Sequence, residues 1–259
     1  MKCNISIACA FKSIFKEKNW GKKILIGGMF TLFSTLLMNT YALIYLPIII
    51  DKINSIIFFI ALGILGIIVH FILTCLLLGY NLKFTHNIIN KNQTILPSWV
   101  HFTELFEKGA IWLGISIVYW ITVISITIGL TAIFKIPYNF NPIFSLLFFI
   151  PVAFAITASM TLPLIETIFA KNFSIRDAFN LKMISNIIFN NFWHYIILYL
   201  SVFALYLIAI IPFAISAITV VGVVLLPFLS FIMKLLENSL FAQFYNTIYT
   251  FEGEKECKH

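Results

Sequence analysis

The chain has 259 residues, of which 61% are hydrophobic and only 10% are charged, and its formal net charge is +7. Soluble domains average about 45–50% apolar and about 25% charged residues. This composition, with a mean hydropathy of +1.01, cannot form a water-soluble surface. It excludes a soluble globular protein and predicts a polytopic membrane protein.

The N-terminal segment does not have the pattern of a signal peptide. Its apolar run is short, is interrupted by Ser6 and is followed at once by Lys12. Apolar residues recur there at helical spacing with lysines nearby, which predicts a helix on the membrane surface. We expect three regions, namely an amphipathic segment (1–21), a single transmembrane domain (22–250) and a charged tail (251–259).

Six stretches are apolar and long enough to cross a bilayer as helices, for which about 20 residues suffice. They cover about 24–49, 55–80, 110–133, 143–170 and 193–215, and a sixth starts near Val220. The boundary between the fifth and sixth spans is the least sharply defined, because Gly222 and Pro227 are the only residues there that commonly interrupt a helix. The prediction is an all-α integral membrane bundle of about six transmembrane helices with short amphipathic cytosolic helices.

Cationic residues are distributed unevenly among the connections between these spans. Six lie in residues 1–23, three in 81–109, three in 171–192 and two in the tail, whereas the opposite side has only Lys52 and Lys135. Cytoplasmic loops carry such an excess of lysine and arginine. We therefore expect a multi-pass protein of the cell membrane with both termini in the cytosol.

The four cysteines, none of which forms a C-x-x-C pair, give no metal-binding pattern. They are Cys3, Cys9, Cys75 and Cys257. The predicted topology places all but Cys75 on the reducing side of the membrane, which disfavours disulfides. We expect four free thiols.

Residues 95–109, ILPSWVHFTELFEKG, interrupt the apolar pattern between the second and third spans. Pro97 and Ser98 favour the start of a helix, and the residues that follow separate into an apolar and a polar face. This pattern predicts a short amphipathic helix on the cytosolic surface. Trp99 would lie at headgroup depth, and Gly109 would let the chain turn into the third span.

Ionisable residues inside the spans are few, and such residues are costly and often functional. His70 lies near the middle of the second span, where a neutral imidazole bonded to a neighbouring helix is the simplest interpretation and a proton relay or ligand role is the alternative. Glu166 and Lys234 have two interpretations. They pair across the bundle, or Lys234 extends to the interface with Glu237 as its i, i+3 partner, which is the interpretation we favour.

Three tryptophans near the starts of spans are predicted interfacial anchors, since tryptophan is enriched at headgroup level. They are Trp20, Trp99 and Trp193. No phosphate-binding glycine loop, H-E-x-x-H or G-x-S-x-G motif occurs, so we predict no catalytic residue, no cofactor and no metal site. Metal binding by His101 and Glu104 is the alternative, and it lacks a third ligand. The lysines form no concentrated basic patch, so we expect no nucleic-acid partner.

Four motifs occur in the order NWGKKILIGG (19–28), LLLGYNLKFTHNII (76–89), LPSWVHFTELFEKG (96–109) and LPLIETIFAKNFSIRDAFNLKMI (162–184). On these motifs the chain resembles the domain-of-unknown-function family 4013, membrane proteins of bacteria and archaea, over roughly residues 15–250. The resemblance implies a membrane-embedded helical fold and no particular activity. The chain departs from the family pattern after the tryptophan, where Val100 and His101 replace an acidic residue.

Two functions fit these features. The first is a non-catalytic membrane protein that interacts with membrane lipids and with a protein partner or further copies of the chain. The alternative is a permease-like transporter or channel for a small or amphiphilic solute, which His70, Glu166 and Lys234 would serve. A water-lined path to His70 would favour transport, whereas a sealed apolar interior would favour the first function.

Overall fold

The computed structural model describes residues 5–17, 19–49, 56–92, 94–133 and 142–256. Within these ranges the chain is helical and contains no strand. The helices are α1 (Ile7–Phe15), α2 (Trp20–Ile49), α3 (Ile56–Ile89), α4 (Phe102–Ile133), α5 (Pro142–Asn172), α6 (Ile175–Ala178), α7 (Leu181–Asn190), α8 (Phe192–Ile218) and α9 (Val220–Glu256).

Six helices in the described part of the chain are long and apolar enough to cross a membrane. Backbone groups have no water partners in hydrocarbon, and a continuous helix satisfies them internally. The candidate spans are Trp20–Met38, Ala61–Ile89, Phe102–Ala132, Ile150–Asn172, Phe192–Ile218 and Gly222–Tyr249. Each overlaps one predicted span, so the prediction of an all-α polytopic bundle is confirmed.

The break between the last two spans lies at Thr219. This residue has extended backbone angles, φ −108° and ψ 142°, and it separates α8 from α9. Its hydroxyl accepts a hydrogen bond from the backbone N–H of Gly222 at 3.0 Å, which satisfies one of the unpaired donors at the start of α9. The predicted start near Val220 is confirmed, and Pro227 lies inside α9.

The predicted surface helix is not separate from the third span. Helix α4 begins at Phe102 and continues to Ile133, so Ser98 is not its N-cap and the chain does not turn at Gly109. Gly109 instead allows α4 to approach α3 closely, since a Cβ atom there would lie 1.8 Å from the carbonyl oxygen of Cys75. A Cβ atom on Gly79 of α3 would likewise lie 1.7 Å from the carbonyl oxygen of Leu105.

Helix α1 packs on the bundle, beside the C-terminal half of α9. Ala10 and Ile14 are fully buried. The backbone N–H of Ser6 donates to Gln243 Oε1 at 3.0 Å, and the hydroxyls of Ser13 and Ser239 lie 3.1 Å apart. The predicted helix therefore forms and one of its faces contacts protein, while its place on the membrane surface stays a prediction. We call this end of the molecule the α1 end.

The cysteine prediction is wrong in part. Cys75 is a free and buried thiol, but Cys9 on α1 is disulfide-bonded. Cys3 and Cys257 lie outside the described residues, as do Lys52 and Lys135 of the predicted outer connections.

Candidate functional site

Polar side chains from α5 and α9 meet at Glu166, which is 5% exposed. Lys234 Nζ donates to Glu166 Oε2 at 3.2 Å, and Asn238 Nδ2 donates to Glu166 Oε1 at 3.3 Å. Lys234 and Asn238 are four residues apart, so they project from the same face of α9. One carboxylate on α5 thereby receives two donors from successive turns of α9.

The same cluster extends to α8 through Glu237. Lys234 Nζ lies 3.6 Å from Glu237 Oε1, and the Tyr206 hydroxyl donates to Glu237 Oε2 at 3.1 Å. Lys234 thus contacts both acids: it pairs with Glu166 across the bundle, and Glu237 is also its i, i+3 partner. The extension of Lys234 to the interface stays a prediction. We call Glu166, Tyr206, Lys234, Glu237 and Asn238 the Glu166 cluster.

The charges of the Glu166 cluster do not balance when all its groups are ionised, because two carboxylates share one ammonium group. A buried charge is costly unless it is paired and hydrogen-bonded, and the contacts above offset that cost. The cluster can therefore do two things chemically. It can join α5, α8 and α9, and it can accept a proton on a carboxylate.

His70 contacts the neighbouring helix α2. Its Nδ1 atom lies 3.0 Å from the hydroxyl of Ser34 and 3.3 Å from the carbonyl oxygen of the same residue. On its own helix, Nε2 lies 3.4 Å from the hydroxyl of Thr74. This geometry is that of an imidazole bonded to a neighbouring helix. The residues on either side, Val69 and Phe71, are exposed.

The three predicted anchors differ in their surroundings. Trp20 is 39% exposed and Trp193 is 73% exposed, whereas Trp99 is only 6% exposed. The Trp99 ring stacks on Tyr80, with centroids 4.1 Å apart, and its Nε1–H donates to the carbonyl oxygen of Lys23 at 2.9 Å. Protein therefore surrounds Trp99 in place of the predicted headgroup contact. For Trp20 and Trp193 an anchoring role stays a prediction.

A set of contacts among Glu17, Lys23 and Leu96 at the α1 end was not predicted from the sequence. Glu17 forms an ion pair with Lys23, and its Oε2 accepts a hydrogen bond from the backbone N–H of Leu96 at 2.7 Å. Lys23 Nζ donates to the carbonyl oxygen of Leu96 at 2.6 Å. Glu17 and Leu96 are 79 residues apart, and no periodicity in the sequence reports such a contact.

Glu104 forms ion pairs with two lysines. Its Oε2 lies 2.6 Å from Lys83 Nζ, and its Oε1 lies 2.6 Å from Lys108 Nζ. The spacing of Glu104 and Lys108 is the i, i+4 spacing that favours such a pair on a helix, so the sequence contained this signal. The geometry does not support metal binding by Glu104 and His101, and the described residues contain no group of three or more potential metal ligands.

The fold defines an all-α, multi-pass integral membrane protein. A family model described as "Protein of unknown function (DUF4013)" matches residues 61–225, and the chain therefore belongs to this family. The resemblance predicted from the motifs is confirmed, although the match is shorter than the expected 15–250. It includes His70 and Glu166 and ends before Lys234. No curated protein and no solved structure matches the chain.

Proposed function

We propose that this protein is a non-catalytic component of the cell membrane that organises lipids or a partner protein. The observation that carries the proposal is that four ionisable side chains within the candidate spans, His70, Glu166, Lys234 and Glu237, contact other protein groups. Lys234 contacts both Glu166 and Glu237, and His70 contacts Ser34. Side chains used in this way stabilise helix packing, which is the ordinary use of polar groups between membrane helices.

The proposed orientation has both termini in the cytosol. It is supported by fourteen lysine and arginine residues in 1–23, 81–109, 171–192 and the tail, against two in the opposite connections. The test uses single cysteines in a chain whose native cysteines are replaced by serine. On intact cells a membrane-impermeant maleimide should label Ile218→Cys, and it should label Asn90→Cys only after lysis. The reverse pattern would overturn the orientation.

The function is tested by extracting the tagged full-length chain in mild detergent and recording its native mass spectrum. We expect a phospholipid or a second polypeptide at fixed stoichiometry that persists through a detergent wash. A chain that is free of both, and that conducts ions or solute after reconstitution into vesicles, would contradict the proposal.

A permease-like transporter or channel is the second candidate. The observation that favours it is the excess carboxylate in the Glu166 cluster, because such a group can carry a proton across a membrane. The test is proton or solute flux in vesicles that contain the purified chain. Flux that is abolished by Glu166→Gln and retained in Glu104→Gln would favour transport. If vesicles that contain the intact protein show no flux, the transporter is excluded and the non-catalytic membrane component stands.

A further inference from the structure

A polar groove runs along α7. It has a volume of about 360 Å³ and is open to the outside of the bundle. Three asparagines and one lysine from residues 180–190 line it together with Tyr249 of α9. The polar residues that line it are Asn180, Lys182, Asn186, Asn190 and Tyr249. Amide and ammonium groups are donors that suit the oxygens of a phosphate group.

An apolar groove lies along the start of α8, the helix that follows α7 in the chain. It has a volume of about 510 Å³ and lies between α8 and α5. Its lining includes Met160, Phe192, Tyr195, Ile196, Tyr199 and Phe203. Tyr195 and Tyr199 both donate to the carbonyl oxygen of Met160, which fixes one wall. Asn190 of the polar groove and Phe192 of the apolar groove are two residues apart.

The charges near the polar groove suit an anionic ligand. Lys182 lines the groove, and Lys171 Nζ lies 4.5 Å from the ring centroid of Tyr249, which also lines it. Arg176 lies between these lysines in the sequence, and Asp177 is the only acidic residue in 171–190. Residues 171–190, which include the α7 side of the groove, therefore have an excess of two positive charges, and Lys182 is the charged residue that lines the groove.

The surroundings of the polar groove are those of a membrane interface. Helices α6 and α7 lie outside the six candidate spans, yet they expose large apolar side chains beside these cations. Ile175 is 50% exposed, Leu181 is 65% exposed and Phe189 is 77% exposed. Exposed apolar side chains next to lysines are typical of a segment that lies at the boundary between headgroups and acyl chains.

We propose that α7 and the start of α8 form a binding site for one anionic phospholipid. The phosphate occupies the polar groove, where Lys182 and the asparagines contact it, and an acyl chain lies along the apolar groove of α8. The inference rests on the proposed lipid-interacting function and assigns it a site and a ligand class. The combination of a cationic polar groove with an apolar groove whose lining starts two residues further along the chain distinguishes a phospholipid from a free anion.

The test titrates the purified full-length chain in detergent with phosphatidylglycerol and follows binding by native mass spectrometry. Phosphatidylcholine with the same acyl chains and inorganic phosphate are the comparison ligands. We expect tighter binding of phosphatidylglycerol than of phosphatidylcholine and no displacement by millimolar phosphate. Lys182→Ala should weaken phosphatidylglycerol binding about fivefold, which is the effect of one lysine near an anionic headgroup.

Two pairs of variants make the test specific. Lys12→Ala removes an exposed lysine from α1 and should leave binding unchanged. Ile196→Trp fills the apolar groove and should abolish binding of both lipids, whereas Ile197→Trp, roughly 100° away on the same helix, should not. Equal losses in Lys182→Ala and Lys12→Ala, unchanged binding in Ile196→Trp, or displacement by phosphate would each overturn the proposal. Elution volume and circular dichroism verify that every variant is folded.

Failure of this site and failure of the proposed function give different results. If the wild-type chain retains a lipid or a partner protein at fixed stoichiometry and the groove variants retain it equally, only the site assignment is wrong. If the chain retains neither and catalyses flux in vesicles, the proposed function is wrong as well.

Discussion

The two halves of α3 are both part of one candidate span, yet protein surrounds them to very different degrees. In the first half, Leu62, Ile64 and Leu65 are 51–57% exposed. In the second half, Tyr80 and Leu82 are fully buried. The first half is almost entirely apolar, while the second half contains the polar residues Asn81, Lys83, Thr85, His86 and Asn87. The more polar half is therefore the more buried one.

This inversion has a physical cause. In a bilayer the lipid tails are as apolar as leucine, so an apolar surface gains little by turning toward protein. Polar side chains and close backbone contacts provide the reason for two helices to meet. The second half of α3 has both, since Gly79 and Cys75 contact the backbone of α4 and His86 Nδ1 lies 2.9 Å from the carbonyl oxygen of Ala170.

The largest loss of stability is expected at Glu166, because this side chain is both buried and charged. Lys234→Met leaves Glu166 buried without its cation, and we expect a loss of about 3–5 kcal/mol in the free energy of unfolding. Adding Glu166→Gln should partly restore stability, because the unpaired charge is then gone. The measurement is unfolding in mixed detergent micelles.

The control for this pair is Lys108→Met at the α1 end. Glu104 keeps its contact with Lys83 in that variant, so the loss should stay below about 1 kcal/mol. If the losses from Lys234→Met and Glu166→Gln simply add, the two groups do not depend on each other for stability.

The comparison within α3 is tested most directly with two leucines. Leu82→Ala should cost about 2–5 kcal/mol because it opens a cavity in packed protein, whereas Leu62→Ala should cost much less because lipid fills the space. Both substitutions remove the same atoms from the same helix. Equal losses in the micelle unfolding assay would mean that burial within the bundle does not separate the two halves.

The close approach of α3 and α4 is tested by replacing a glycine at their contact, Gly79, with alanine. Gly79→Ala places a methyl group against the carbonyl of Leu105, and we expect a loss of about 1–3 kcal/mol. Gly114→Ala on α4 is the matched control, since nothing lies within 4 Å of the added methyl group. That variant should be neutral or more stable, as alanine favours a helix over glycine. Thermal midpoints in detergent distinguish the two, and a neutral Gly79→Ala would argue against the close crossing.

The smallest changes in the free energy of unfolding are expected from substitutions of Trp99 and Trp193. Trp99→Phe keeps an aromatic ring beside Tyr80 but loses the hydrogen bond to Lys23, which should cost about 1 kcal/mol. Trp193→Phe should leave the unfolding free energy unchanged, because Trp193 is 73% exposed. A larger loss from Trp193→Phe than from Trp99→Phe in the same assay would contradict the assignment of Trp99 to the protein interior.

Several features could be predicted from the sequence because they depend on local properties of the chain. Mean hydropathy and run length located six spans, and helical spacing predicted α1. The cap on α6 is equally local, because the Ser174 hydroxyl accepts a hydrogen bond from the backbone N–H of Asp177, three residues further on, at 3.4 Å. Each of these features is decided by residues within a few helical turns of one another.

Only the tertiary structure decided which residues meet across the bundle. The contacts of Glu166 with Lys234 and of Glu17 with Leu96 join residues 68 and 79 positions apart. Trp99 and Gly109 carried local patterns typical of an interfacial anchor and a turn, but contact with α3 placed both residues at a helix junction. Hydropathy measures the preference of a segment for lipid over water. It hardly distinguishes a residue that contacts lipid from one that contacts protein, since both environments are apolar.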